Sequence, residues 1–369
     1  MPPDLFVTKP YLPALEDYLP YLEEIWRTGQ VTNGGKFHAE LEVRLAEKLR
    51  APQVSLVNNG TLALVIALQS MGIKGEVITT PFTFPATVNS LKWCNIDPVF
   101  VDIDRHTYNI DPAKIEAAIT PRTTAILPVH VYGRPCKLQE IESVAKRYNL
   151  RVIYDAAHAF GVDCDCGKLF TAGDHSALSF HATKVFHTFE GGAIISKDLD
   201  AKTKIDRLKN FGFVNDTNIA VPGINSKLNE LQAAMGLLQL DHLDFILARR
   251  KKIDLIYREA LSENDRLYIP PEPKVRQYNY CYFPIEIQDT AAVDRDQLFQ
   301  SLVSEGISAR RYFYPLVSNF SIYRSEPSSD LANLPMANDA ARKVLCLPIY
   351  PDLKDADVER VIEAVTRKL

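Results

Sequence analysis

"SALSFHATKVFHTFEGGAIIS", residues 176–196, sets one lysine between two short apolar runs. Residues 176–180 read as a buried strand and residues 192–195 as the start of another. Lys184 lies on the turn between them, with Thr183 before it and Thr188, Glu190, Gly191 and Gly192 after it. Lysines are seldom placed at the rim of a core unless they are paired or used. A deprotonated lysine amine can form a Schiff base with an aldehyde. A strand end and a glycine-rich exit would fix such an amine in one place. The ordinary alternative is a surface lysine paired with Glu190.

Upstream of this turn, short apolar runs alternate with helical stretches. Residues 14–27 and 37–50 have helical periodicity, as in "FHAELEVRLAEKL". Strands are expected at 54–57, 77–79, 99–101, 125–129 and 152–154. Helices are expected at 61–71, at 84–94 and in "KLQEIESVAKRYNL". This alternation predicts an α/β fold with crossover units and a mostly parallel sheet between helices. Downstream, residues 229–261 read as one long helical connector, and "DRLYIPPEPK" breaks it with three prolines. A strand at 282–287, a helix in "DRDQLFQSLVSEG", a short strand near 308–312 and a final helix at 355–369 make a smaller α/β unit. The expected division is residues 1–250, an N-terminal arm and large domain, and residues 251–369, a small domain.

The chain has 369 residues, 46% hydrophobic, enough for one large core and a second smaller one. Its formal charge of −4, with no basic stripe interleaved with aromatics, gives no footprint for nucleic acid. No apolar run approaches the roughly 18 residues that cross a bilayer, and the first ten lack the regions of a signal peptide. The expectation is a cytoplasmic protein that binds no membrane. The six cysteines are scattered, Cys164-x-Cys166 being the only close pair, so reduced thiols are expected. The eight histidines show no metal-ligand spacing, so no metal is expected.

Ligands of open α/β sheets bind beyond the carboxyl ends of the strands. In "VSLVNNGTLALVIAL" a strand ends at Val57 and Thr61 opens a helix. Gly60, the free N–H groups of that helix start and the Thr61 hydroxyl could hold an anion, or Thr61 or Asn59 could simply cap the helix. In "RVIYDAAHAFG" a strand runs into Asp155, with His158 three residues on. Such a carboxylate can hold a protonated ring nitrogen, or cap a short helix while the histidine bonds to backbone. Ser179 ends the strand before Lys184. In "PFTFPATVN", Phe84 could lie flat on an aromatic ligand or pack into the core. Together the four describe an aromatic aldehyde with a ring nitrogen and a phosphate. Pyridoxal 5'-phosphate has these features.

At this point the chain resembles the DegT/DnrJ/EryC1/StrS sugar aminotransferases. The resemblance rests on "NNGTLAL", "PFTFPATVNS", "PVFVDID", "LPVHVYG", "DAAHAFG", "SFHATKVFHTFEGGAI" and "GINSKLNELQAAMGLLQL", in that order. It implies the fold-type I, aspartate aminotransferase-like architecture. It implies that Lys184 carries the cofactor, that Asp155 binds the pyridine nitrogen and that Phe84 stacks on the ring. Gly60, Thr61 and Ser179 would hold the phosphate, and His158 would lie beside the ring's 3-hydroxyl. Asn225 would reach the phosphate of the neighbouring subunit, which implies a homodimer with shared sites, though Asn225 could equally cap a helix. One branch of the family replaces the lysine with histidine and dehydrates its sugar; this chain keeps lysine.

The resemblance also implies a reaction. L-glutamate would give its amino group to a nucleotide-linked keto-sugar. The similarity is to the enzymes that make dTDP-4-amino-4,6-dideoxyglucose for surface polysaccharides such as O-antigen. The alternatives are a 3-keto-sugar aminotransferase and a non-catalytic regulator that binds the same cofactor. "SARRYFYPL", residues 308–316, could form a lid in which Arg310 or Arg311 meets a carboxylate or phosphate, or both could be solvated charges.

Overall fold

A computed structural model describes residues 4–165 and 167–369. Seven strands form the main sheet: β1 Gln53–Val57, β2 Glu76–Thr79, β3 Asp97–Phe100, β4 Thr123–Leu127, β5 Arg151–Asp155, β6 His175–Ser179 and β7 Gly192–Ser196. Their order is β1-β7-β6-β5-β4-β2-β3. Every pairing is parallel except the two made by β7, which runs antiparallel to both β1 and β6. The reversal has a direct cause. The lysine turn joins β6 to β7 with no helix in between, so the chain cannot return to the starting edge of the sheet.

The strands are short and almost wholly buried, as strands covered on both faces must be. Helix α1 Leu15–Thr28 packs on the helical segment that follows residue 229, and α2 Lys36–Leu49 packs on β1. They are followed by α3 Gly60–Ser70, α4 Pro85–Trp93, α5 Pro112–Ile115, α6 Leu138–Arg147 and α7 Leu199–Leu208. Helix α3 is apolar all round, with seven of its eleven residues buried, which marks it as an interior helix. A small hairpin, β8 Phe213–Asn215 with β9 Asn218–Ile219, stands exposed.

The expected single connector over 229–261 is two helices, α8 Glu230–Asp241 and α9 Leu243–Leu261. His242 (φ −94°, ψ −1°) interrupts them. The carboxyl-terminal region has an antiparallel sheet of β10 Leu267–Tyr268, β11 Phe283–Ile287 and β12 Val344–Leu347. It carries α10 Arg295–Ser304, α11 Pro335–Lys343 and α12 Asp355–Thr366. The strand expected near 308–312 is reduced to isolated bridges, Ile307 with Leu5 and Arg310 with Cys346. The pairing strand is instead β12, which sequence inspection passed over. One apolar cluster runs from Leu56 and Ile195 through α8 and α9 to Ile285 and Leu347, so the two sheets share a core.

Among the described residues no helix is long and apolar enough to cross a membrane. No group of His, Cys, Asp or Glu among them is placed to hold a metal ion. Cys94, Cys136, Cys281 and Cys346 are free thiols. The reading of Cys164-x-Cys166 falls in part on Cys166, outside the described residues.

Candidate active site

The carboxyl ends of β1, β5 and β6 and the start of β7 meet at one edge. Gly192 pairs with Val57 on one side and with Ser179 on the other, which brings the β1–α3 turn beside the end of β6. The approach is close. A Cβ on Gly60 would lie 2.7 Å from Ser179 Cβ, and one on Gly192 would lie 2.8 Å from the Asn59 carbonyl carbon. Only glycine fits at either position. Asn59 caps α3, its Oδ1 accepting from Leu62 N at 2.8 Å, so Thr61 is not the cap and stays exposed. The turn is anchored from outside, where Asn58 N donates to Ser226 O at 3.0 Å.

Asp155 ends β5, buried and with no helix after it, so it is not a helix cap. Its Oδ2 accepts from Thr87 Oγ1 at 2.7 Å and its Oδ1 from Ala157 N at 3.1 Å. Burial raises its pKa; Thr87, Ala157 and the nearby Lys184 amine work against that rise. Thr87 is itself bonded to Thr83 at 2.8 Å. These threonines lie one helical turn apart on "PFTFPATVN", and sequence inspection missed them because the contact is to a strand 68 residues away.

Lys184 makes no ion pair among the described residues. Glu190, its expected partner, faces His181 at 3.5 Å instead. Burial lowers the Lys184 pKa, and Asp155 and Cys281 oppose that shift. A small cavity is lined by His158, Lys184, Asn279, Cys281 and Tyr282, among others. His158 is buried. Its Nε2 lies 3.5 Å from Tyr282 Oη and its Nδ1 has no partner, so backbone does not satisfy it. Burial pushes its pKa well down, so the ring is neutral. The ring of Phe313 lies parallel to it at 6.1 Å, and Asn279 Nδ2 holds the His158 carbonyl at 2.7 Å. Phe313 lies within the 308–316 stretch expected to form a lid, whereas Asn279 and Cys281 carried no recognisable signal in the sequence.

Phe84 is not core packing: it is 53% exposed at the N-terminus of α4. Asn225 is exposed and does not cap α8; Asn229 does, in a reciprocal arrangement with Gln232. Asn225 is bridged to Asn210, and its neighbour Ser226 accepts from Asn58 N of the β1–α3 turn. Arg311 is committed to Asp296 at 2.9 Å and to the Phe299 ring. Arg310 is exposed and donates to Tyr312 Oη at 3.0 Å.

The arrangement suits a phosphorylated aromatic aldehyde. A glycine cradle lies at a helix start, a buried carboxylate stands at a strand end, and an unpaired amine faces a cavity with a neutral imidazole whose Nδ1 is unpartnered. A fold of this kind with such an edge defines a fold-type I pyridoxal phosphate-dependent transferase. The profile of the DegT/DnrJ/EryC1/StrS aminotransferase family matches residues 15–366, and the chain belongs to that family. It is 49% identical over 363 residues to the dTDP-4-amino-4,6-dideoxy-D-glucose transaminase of Shigella dysenteriae, covering 98% of each chain. It is similar to DesI, solved in the presence of its TDP-sugar product, with a TM-score of 0.93, 34% identity and coverage of 99% of this chain and 92% of that one. NtdA of Bacillus subtilis, solved with bound cofactor PMP, matches with a TM-score of 0.88 and 30% identity, over 96% of this chain and 81% of that one. The chain is accordingly a pyridoxal phosphate-dependent sugar aminotransferase.

Proposed function

We propose that the protein moves the amino group of L-glutamate onto carbon 4 of dTDP-4-keto-6-deoxy-D-glucose, giving dTDP-4-amino-4,6-dideoxy-D-glucose. The observation that carries this reading is the 49% identity, end to end, with a transaminase named for that product. The DesI likeness adds a TDP-sugar relative of the same shape. We place the reaction in the cytoplasm, on a route to a surface polysaccharide such as O-antigen.

Each site residue has a part in it. Lys184 holds the cofactor and, once displaced by the donor, moves the α-proton through its Nζ. Burial lowers its pKa, so more of the amine is free to accept a proton. Asp155 faces the pyridine nitrogen and keeps it protonated, with Thr87 and Ala157 N–H holding the carboxylate in orientation. Bound pyridoxal phosphate supplies the electron sink for the carbanion. When the cofactor is bound, Phe84 would cover its ring, Gly60, Thr61 and Ser179 would hold its phosphate, and His158 would lie by its 3-hydroxyl. Asn225 serves the site of the other subunit in a homodimer with two shared sites. The exposed hairpin that precedes it, with Phe213 and Ile219, supports that assignment.

The test is incubation of the protein with pyridoxal phosphate, L-glutamate and a panel of nucleotide-linked sugars. The panel includes dTDP-linked 4-keto and 3-keto isomers and a GDP-linked 4-keto sugar, and products are identified by NMR. Amination of the dTDP-linked 4-keto-6-deoxyglucose at carbon 4 is expected. Preference for a 3-keto or GDP-linked acceptor would sink the reading. Sedimentation should give twice the 41.5 kDa chain mass.

A further inference from the structure

The turn that bears Lys184 also bears a buried group, His187, both of whose ring nitrogens have partners. Its side chain is 1% exposed. Its Nε2 lies 2.8 Å from the carbonyl oxygen of Tyr11, and its Nδ1 accepts from Phe189 N at 3.3 Å. A carbonyl can only accept and a backbone N–H can only donate, so the ring is neutral with its proton on Nε2. Both nitrogens are used, one inside the turn and one on a segment 176 residues away. Burial also holds the ring's pKa below the ordinary histidine value.

That distant segment is the N-terminal arm, and its other contacts show what the bond connects. Leu5 N donates to Gly306 O at 3.1 Å and Ser308 N to Leu5 O at 2.8 Å. Ile349 N donates to Val7 O at 3.0 Å. Leu5 and Val7 are buried. The arm is thus laid against the carboxyl-terminal region at one end. At the other end the Tyr11 carbonyl takes both His187 Nε2 and Gln239 Nε2 of α8, each at 2.8 Å. The Tyr11 ring lies 5.5 Å from that of His242, where α8 and α9 part.

We propose that His187 is a positioning residue for Lys184, clamping the N-terminal arm at Tyr11 onto the lysine turn. The arm thereby ties that turn to the carboxyl-terminal sheet region and to the α8–α9 break. His187 touches no reacting atom; it acts by fixing the backbone of the two residues, Val185 and Phe186, between itself and Lys184. The proposal rests on Lys184 being the reactive amine, but the clamp can be measured without any reaction.

Two substitutions separate the clamp from the local structure of the turn. His187→Gln puts an amide N–H where Nε2–H was and can donate to Tyr11. His187→Asn keeps an acceptor for Phe189 N–H near the place of Nδ1 but falls short of Tyr11. Hydrogen exchange is followed on the full-length, cofactor-free chain. In the Asn variant, exchange should rise at least about fivefold in residues 5–12 and 181–190 together, the size expected of one lost hydrogen bond. In the loaded enzyme, kcat should fall roughly tenfold with the donor KM within about twofold. The Gln variant restores the donor to Tyr11 and not the acceptor for Phe189 N–H, so its exchange in residues 5–12 should stay within about twofold of the wild type.

The clamp is overturned if the Asn variant leaves arm exchange unchanged, or if the arm loosens while the turn and kcat do not respond. Failure of the Gln variant to restore protection overturns it equally. Should the Asn variant not fold, Gln239→Leu removes the companion donor without touching the turn. It must loosen both segments, and a loosened arm with an unaltered turn refutes the clamp. If both segments loosen and kcat holds, the fault lies with the role given to Lys184, which substitution of Lys184 itself decides.

Discussion

At the scale of single residues, the site sets a half-buried amine and a buried carboxylate within electrostatic reach of each other, each shifting the other's pKa. Lys184→Ala should lower kcat by at least about a thousandfold and abolish the visible absorption of the lysine–cofactor adduct, read by spectrophotometry. Thr87→Val is the subtler case. Thr87 lowers an Asp155 pKa that burial has raised. Losing its bond pushes that pKa further up. The carboxylate is the form that holds a protonated ring nitrogen, so the acid limb of the kcat/KM profile should move to higher pH, by about one unit. A limb that stays put or moves to lower pH would remove Asp155 from the role. The positions of Lys184, Asp155 and the glycine turn at the sheet's edge were legible in the sequence because each follows an apolar run. Thr87, Asn279 and Tyr282 were not, because what marks them is a neighbour in space and not their spacing along the chain.

At the scale of elements, the anion cradle depends on how tightly β1, β7 and β6 are drawn together. Gly60→Ala should weaken cofactor affinity about 10- to 100-fold, since its Cβ would meet Ser179 Cβ at 2.7 Å. Equilibrium titration of the cofactor-free protein measures this. Asn59→Ala removes the α3 cap and should lower stability by about 1 kcal/mol in urea unfolding. The periodicity of 3.6 and the short apolar runs gave most of these elements within a few residues. Where that reading failed, the reason is physical. Residues 229–261 carry helix-forming side chains throughout, so only tertiary packing around His242 breaks them. Residues 344–347 follow α11 with no turn signal, and pairing with β11 alone makes them a strand.

At the scale of the whole molecule, stability should fall in mild acid. Burial pulls His38 down to about 4, helped by the Lys209 charge, and pulls His130 down to about 3. In the unfolded chain both protonate near the ordinary value of about 6.5. Their folded-state pKa values are depressed, so the stability they contribute is complete above pH 6.5 and is lost as pH falls toward about 4. Each accounts for about 2 kcal/mol between pH 6.5 and 5. His38→Gln should therefore show a loss smaller by about that amount, read from urea unfolding at the two pH values. An equal loss in the variant would mean that His38 is protonated in the fold. The overall architecture was legible because alternating strands and helices leave few ways to cover a sheet on both faces. The direction of β7 was not, because nothing in "GGAII" says which way it runs.

That reversed strand has an evolutionary consequence. Both ends of the reactive loop are gripped at the same level of the sheet, and no crossover helix hangs on it. Its twelve residues, 180–191, are nonetheless rooted in the core, with Phe180, Phe186, His187 and Thr188 buried. A loop transplanted from a relative should therefore leave the melting curve intact only where it brings matching apolar residues at 180 and 186 and a donor for the Tyr11 carbonyl at 187. The reactive residue can drift only in company with the residues that root its loop.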